Sequence, residues 1–262
     1  MIQRILTIID KEWAEVFKNR VVLFTILFMP VVFTAMPLII LSALRTDSSL
    51  NRDMVDMPAV FARTCGTLQP WECLQFFMLN QFMTLFMIMP AAIPVAIAAY
   101  SIVGEKTTHS LEPLLATPIT TVELMLAKCL AAAVPAIGAT WLCFGFFMAL
   151  LPVIGVSNTV AGISAGIWLI AVGIIGPLIA FQAVMLALII STRVSDPRAA
   201  QQISMVVVLP IIGLIFGQLG GWLIIDRSLM WTTSMVMLII DLALVFISAE
   251  LFERETILTR WK

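Results

Sequence analysis

The residues that could do chemistry are few and scattered. The chain has one histidine, His109, and four cysteines, Cys65, Cys73, Cys129 and Cys143. A zinc site needs several His, Cys or carboxylate ligands gathered together. Glu105 and Glu112 flank His109, but no second imidazole or thiol joins them, and no Cys-x-x-Cys pair exists. An intramembrane hydrolase needs a metal cluster or a general base, and no serine can be matched with a histidine from a second apolar stretch. No Gly-x-x-x-x-Gly-Lys-Ser/Thr run is present, so the chain holds no nucleotide on a phosphate loop. Cys65 and Cys73 share a polar segment. Their spacing allows a disulfide in an oxidising compartment, with two free thiols as the alternative. Cys129 and Cys143 lie in an apolar run and read as small packing residues.

Asp241 stands apart, because it is deep inside an apolar run. A charged acid at the centre of a bilayer costs about 2.5–3.5 kcal/mol or more. It must face a partner helix, water or a cavity, or carry a proton. Two readings stay open: a polar spot on a route through the membrane, or a hydrogen-bonded contact between helices. Gln182 and Gln218 carry the same signal more weakly.

The elements that must position these residues are membrane spans. The chain is 61% hydrophobic and only 12% charged, with a mean hydropathy of +1.06. A soluble domain carries about 25% charged residues. Here the charges gather between long uncharged runs, which predicts an all-α membrane protein with six transmembrane helices. Residues 1–20 read as an amphipathic helix lying in the membrane interface. Ile2, Ile5, Leu6, Ile9, Trp13, Val16 and Phe17 fall on one face, with Arg4, Lys11, Glu12, Glu15, Lys18 and Asn19 on the other. The transmembrane domain then runs over 21–249, with spans at about 21–44, 76–103, 124–150, 161–191, 200–225 and 229–249. Residues 45–75 form its long polar loop, and 250–262 a charged tail. Pro30 and Pro37 should bend the first span, and Pro90 and Pro94 the second. Gly162, Gly166 and Gly173 in the fourth read as points of close helix approach.

Orientation follows from the basic residues. With an even number of spans, eleven of the fifteen Lys and Arg share a side with the termini and with loops 104–123 and 192–199. Both termini and those loops are therefore expected in the cytoplasm, and loop 45–75 outside. The net charge of −1 indicates no nucleic-acid partner. Six spans are few for a self-sufficient pump, which points to a dimer or a partner subunit.

Loop 104–123 reads GEKTTHSLEPLLATPITTVE. It places Leu111, Leu114 and Leu115 among charges, with Pro113 and Pro118 as punctuation. Such a strip is expected to lie across the membrane face, either docked in another protein or packed on its own bundle. This stretch resembles the signature loop of type-2 ATP-binding-cassette (ABC) transporter permeases. Gly104, Glu105 and Lys106 match the opening of that motif, Leu111 and Glu112 its middle, and Leu114, Leu115, Thr117 and Pro118 its close; Lys128 also fits. Thr107–Ser110 departs from the pattern, where a charged residue and Gly or Arg usually precede Thr. The turn at Ser195–Gln202 and the tail at Leu251–Glu255 resemble the same family, as does the order of elements.

The resemblance implies a permease subunit with no ATP hydrolysis of its own, in a bacterial or archaeal plasma membrane. It implies a second permease copy or homologue, two cytosolic ATP-binding-cassette ATPases that hold the ATP and Mg, and membrane lipid around the bundle. Glu105, Lys106, Leu111, Glu112, Leu114, Leu115 and Pro118 would meet the ATPase. The substrate path would lie between two permease halves, lined mainly by the first, second and fifth spans, and the direction would be export. A membrane-embedded lipid-modifying enzyme and a non-transporting membrane scaffold are the competing readings. The first lacks a cluster of acids, bases or ligands at one depth.

Overall fold

The computed structural model describes residues 2–18, 20–46, 69–107, 121–156, 158–191, 193–194, 196–223 and 225–251, and every regular element among them is helical. Six helical stretches are long and apolar enough to cross a membrane: Val22–Ala43, Trp71–Ser101, Glu123–Leu150, Val160–Ser191, Pro197–Leu219 and Arg227–Ser248. In helical terms, α1 is Ile2–Val16 and α2, the first span, is Arg20–Thr46. The second span is α3 (Pro70–Phe86) followed by α4 (Met89–Thr107), and the third is α5 (Thr121–Leu150). The fourth is α6 (Asn158–Ile170) and α7 (Gly176–Ser191), joined by a π-helical turn. The fifth is α8 (Pro197–Ser204), a 3-10 turn and α9 (Leu209–Leu219), and the sixth is α10 (Arg227–Leu251).

The second span is the hub. Its most apolar window is 89% buried, against 18% for the first span and 17% for the sixth. Leu79, Met83, Phe86, Met89, Ile93 and Ile97 are fully enclosed. Ala91, Ala92, Ala96, Ala98 and Ala99 are buried between them, so neighbouring backbones approach closely. The outer spans instead turn Phe28, Leu142, Phe216 and Phe246 outward. A continuous apolar exterior of this kind is stable only in lipid or against another apolar surface.

Local chemistry sets the helix ends, and in places it departs from the sequence expectation. The second span starts at Pro70, not at 76. Pro70 needs no N–H partner at the first helical position, and the Glu72 carboxylate accepts the Gln69 N–H at 3.1 Å. The span is interrupted at Met87–Ile88, just ahead of Pro90, whose missing N–H removes a bond to the Phe86 carbonyl. The fifth span begins at Pro197, where Asp196 Oδ1 accepts the Arg198 N–H at 2.9 Å. It ends at Leu219, not 225. Gly221 adopts φ 70°, the Trp222 N–H donates to Gly217 O at 2.8 Å, and the Gly221 N–H to Gln218 O at 3.0 Å, a Schellman closure that needs a residue tolerant of positive φ. Asp226 Oδ1 then opens α10 by accepting the Leu229 N–H at 2.7 Å.

The π turn at Ala171–Ile175 has a local cause. The Gly176 N–H bonds Ala171 O, and Pro177 has no N–H to offer Val172. The stranded Val172 carbonyl is met from the third span by Trp141 Nε1 at 3.0 Å. Gly162 and Gly173, expected at close helix contacts, face open space within 4 Å of where a side chain would start, so among the described residues no helix uses them that way.

Candidate functional site

The strongest polar feature of the bundle sits at the foot of the second and third spans. α1 packs there through Ile8 and Ile9, with Ile5 and Trp13 beside them, onto Leu124, Ala127 and Ala131 of α5. Glu12 is carried into the same contact and is 2% exposed. This corrects its assignment to the polar face of residues 1–20. Glu12 is four residues from Ile8 and from Val16 and three from Ile9, so it lies on their face of a 3.6-residue helix. Its carboxylate accepts from Lys128 Nζ at 2.7 Å, and Lys128 is 7% exposed. Lys128 also donates to Ser101 Oγ at 2.9 Å, and the Ser101 hydroxyl donates to Glu12 Oε2. One side chain from each of α1, α4 and α5 closes this triangle.

Trp13 adds a second tie. Pro135 in α5 has no N–H for the carbonyl four residues back, at Ala131. Trp13 Nε1 donates to that carbonyl at 3.0 Å. Trp13→Phe should therefore lower the stability of the detergent-solubilised chain by about 1 kcal/mol. Pro135→Ala supplies a backbone N–H at position 135 for the Ala131 carbonyl, and in that background the Trp13→Phe loss should shrink towards zero in thermal unfolding. An equal loss in both backgrounds would show that the bond is not what holds the indole.

Loop 104–123 is bracketed by this cluster. Helix α4 continues to Thr107 and α5 begins at Thr121, so Glu105 and Lys106 lie on the last helical turn of the second span. Leu111, Glu112, Leu114, Leu115 and Pro118 fall outside the described residues, as does His109. The Ser101–Lys128 contact draws the two flanks of the loop together.

The three polar residues placed on a possible route through the membrane do not form one site. Asp241 and Gln182 meet between the sixth and fourth spans, beside a groove of about 400 Å³ lined by Cys129, Ala133, Phe181 and Val245. Asp241 is 4% exposed. Gln182 reaches towards it, yet its Nε2 donates to Met237 O at 3.2 Å, and neither Asp241 oxygen makes a hydrogen bond of good geometry among the described residues. Gln218 lies elsewhere, fully buried against the second span, where its Oε1 is 3.1 Å from Thr84 Oγ1. Thr84 Oγ1 is also 2.9 Å from Asn80 O, and Asn80 Oδ1 accepts from Trp168 Nε1 at 3.0 Å. A buried polar line thus joins the fourth, second and fifth spans. Cys73 is disulfide-bonded and Cys129 and Cys143 are free; Cys65 lies outside the described residues.

Sequence reasoning missed Glu12, Ser101 and Trp13 as members of a shared site, and noted Lys128 only as part of a motif. The signal for Glu12 was its place inside an apolar stripe. No comparable signal marks Ser101.

The model of the family described as ABC-2 family transporter protein matches residues 6–227 of the chain. No curated protein matches it. The match covers most of the chain, including Glu12, Trp13, Ser101 and Lys128 and the first five spans. The chain belongs to the ABC-2 transporter family: it is a multi-pass membrane protein and a permease-type component of an ABC transporter, in a family that associates with ATP-binding-cassette subunits.

Proposed function

We propose that this chain is one half of the transmembrane pathway of an ABC exporter, driven through loop 104–123 by two separate cytosolic ATPases. The observation that carries the coupling role is the closed base of that loop. Ser101 on the second span and Lys128 on the third are in direct hydrogen-bonding contact, so force applied to the loop reaches both spans together. Leu111, Leu114, Leu115 and Pro118 would seat in a groove of the ATPase, with Glu105, Lys106 and Glu112 making the polar contacts. ATP and Mg belong to the partner.

The bare faces of the bundle support pairing with a second permease copy or homologue. Phe24, Leu27, Val31 and Ile39 of α2 and Leu209 and Phe216 of α9 are all turned outward. The cargo route would run between the two halves beside the first, second and fifth spans, where Gln218 and Thr84 lie. Asp241 and Gln182, on the side of the fourth and sixth spans, read better as an internal contact. The count of basic residues puts both termini in the cytoplasm of a bacterial or archaeal cell, and Cys65 is the proposed partner of Cys73 on the outer side. α1 fits an interfacial position. Its buried strip docks on the bundle, while Ile2 and Leu6 remain exposed on the adjoining sector of the same helix and Phe17 is exposed just beyond its end.

The test is co-purification of an ATPase with the chain, followed by Glu105→Ala and Glu112→Ala. Each is expected to reduce ATP hydrolysis by the complex several-fold while the permease still folds. Assembly and hydrolysis unchanged in both variants would remove the loop from the coupling role.

A further inference from the structure

We propose that Glu12, Ser101 and Lys128, backed by Trp13 on the Ala131 carbonyl, clamp α1 and the feet of the second and third spans into one mechanical body. A push received by loop 104–123 would then move three helices together, with α1 as the third arm. The inference rests on the proposed coupling role of that loop, and it adds α1 and named positioning residues to it.

The argument begins with burial. An ammonium and a carboxylate withdrawn from water hold each other firmly only when the geometry is good and the remaining polar atoms are served. Here the pair is 2.7 Å apart, and the Ser101 hydroxyl bridges both partners. Separating α1 from α5 would leave a charge in an apolar contact lined by Ile8, Ile9 and Leu124. It would also uncover the Ala131 carbonyl that Pro135 has already deprived of its helical donor. Both ties issue from consecutive residues, Glu12 and Trp13, so α1 is held at one point against rotation as well as against lifting. The Lys128 and Ala131 anchors lie one turn apart on α5 and close to the loop. An isolated surface helix would slide with the lipid; a helix fixed in this way must follow the foot of the third span.

The experiment uses the full chain with its co-purified ATPase, carrying spin labels on non-cysteine handles at exposed Asp10 in α1 and exposed Leu126 in α5. In the wild type, the Asp10–Leu126 distance should be the same without nucleotide and with the ATPase trapped by ATP and vanadate. In Glu12→Gln, the distance should match wild type without nucleotide and shift or broaden on trapping. The charge exchange Glu12→Lys with Lys128→Glu should return the nucleotide-insensitive distance. A wild-type distance that changes on trapping overturns the proposal, because the elements then do not move as one. A Glu12→Gln distance that stays at the wild-type value in both states overturns it too, as does one equally broadened in both, which marks a fold contact only. Should Glu12→Gln fail to fold, the wild-type comparison and the charge exchange still decide. Hydrogen exchange on the isolated chain separates this proposal from the coupling reading. Faster exchange of α1 amides in Lys128→Met supports the clamp even where no ATPase binds, and unchanged exchange overturns it even where one does.

Discussion

Lys128→Met is expected to lower the unfolding free energy of the purified chain by about 3–5 kcal/mol, among the largest losses any single substitution outside the core would produce. Methionine fills much of the volume of the lysine stem but leaves the Glu12 carboxylate buried, at 2% exposure, without its cation. Ser101 alone cannot replace a full charge. The loss comes from stranding an ion, not from forfeiting the net worth of the pair. Replacing both partners, as Glu12→Leu with Lys128→Met, should therefore recover most of the stability. Denaturant titration in mild detergent, followed by tryptophan fluorescence, measures both. A single variant within about 1 kcal/mol of wild type would mean that water reaches Glu12 at this site.

Asp241→Leu is expected to do the opposite and stabilise the chain by about 1–3 kcal/mol. Both carboxyl oxygens are buried without a hydrogen bond of good geometry, and Gln182 beside them is turned to the Met237 carbonyl, so much of the desolvation cost of the native residue is not offset. The adjoining groove of about 400 Å³, walled by Ala133, Val134 and Leu242, leaves room for the branched side chain. Asp241→Asn keeps a polar group in the same place and should change stability much less. A marked drop in melting temperature for Asp241→Leu would show that a donor from a partner helix satisfies the acid in the assembled membrane. That result would return Asp241 to the list of functional residues.

The spans were legible because lipid imposes a simple rule: twenty or so residues without charge, then a charged break. That rule located all six, including the apolar run around Asp241. It says nothing about backbone chemistry at the ends. Pro70–Gln75 mixes Trp, Glu and Gln and reads as loop, but a proline at the first helical position and a carboxylate two residues later make it the start of a helix. Gly220 and Gly221 end the fifth span among residues apolar enough to continue it. The π turn depends on which carbonyl Pro177 leaves without a donor, which only the neighbouring Trp141 reveals. The site was legible in part for a similar reason. The loop motif identifies a segment by type, whereas the Glu12–Lys128 pair joins residues 116 apart in sequence. A glutamate close to a lysine and another glutamate is readily counted with the wet face, even though helical spacing sets Glu12 among Ile8, Ile9 and Val16. Only the arrival of Lys128 makes the buried side the better place for it.

That long separation also orders the birth of the protein. Trp13 leaves the ribosome 118 residues ahead of Ala131, an interval of roughly 6 to 24 s at ordinary rates of synthesis. Throughout it, the nascent N-terminal segment has no cation to receive its acid and no vacant carbonyl to receive its indole. Glu12 must wait hydrated at the bilayer surface until the third hydrophobic segment has been inserted. Docking of α1 therefore cannot precede insertion of the third span, and a translation product cut short before Lys128 would carry an undocked α1 for quality-control proteases to find.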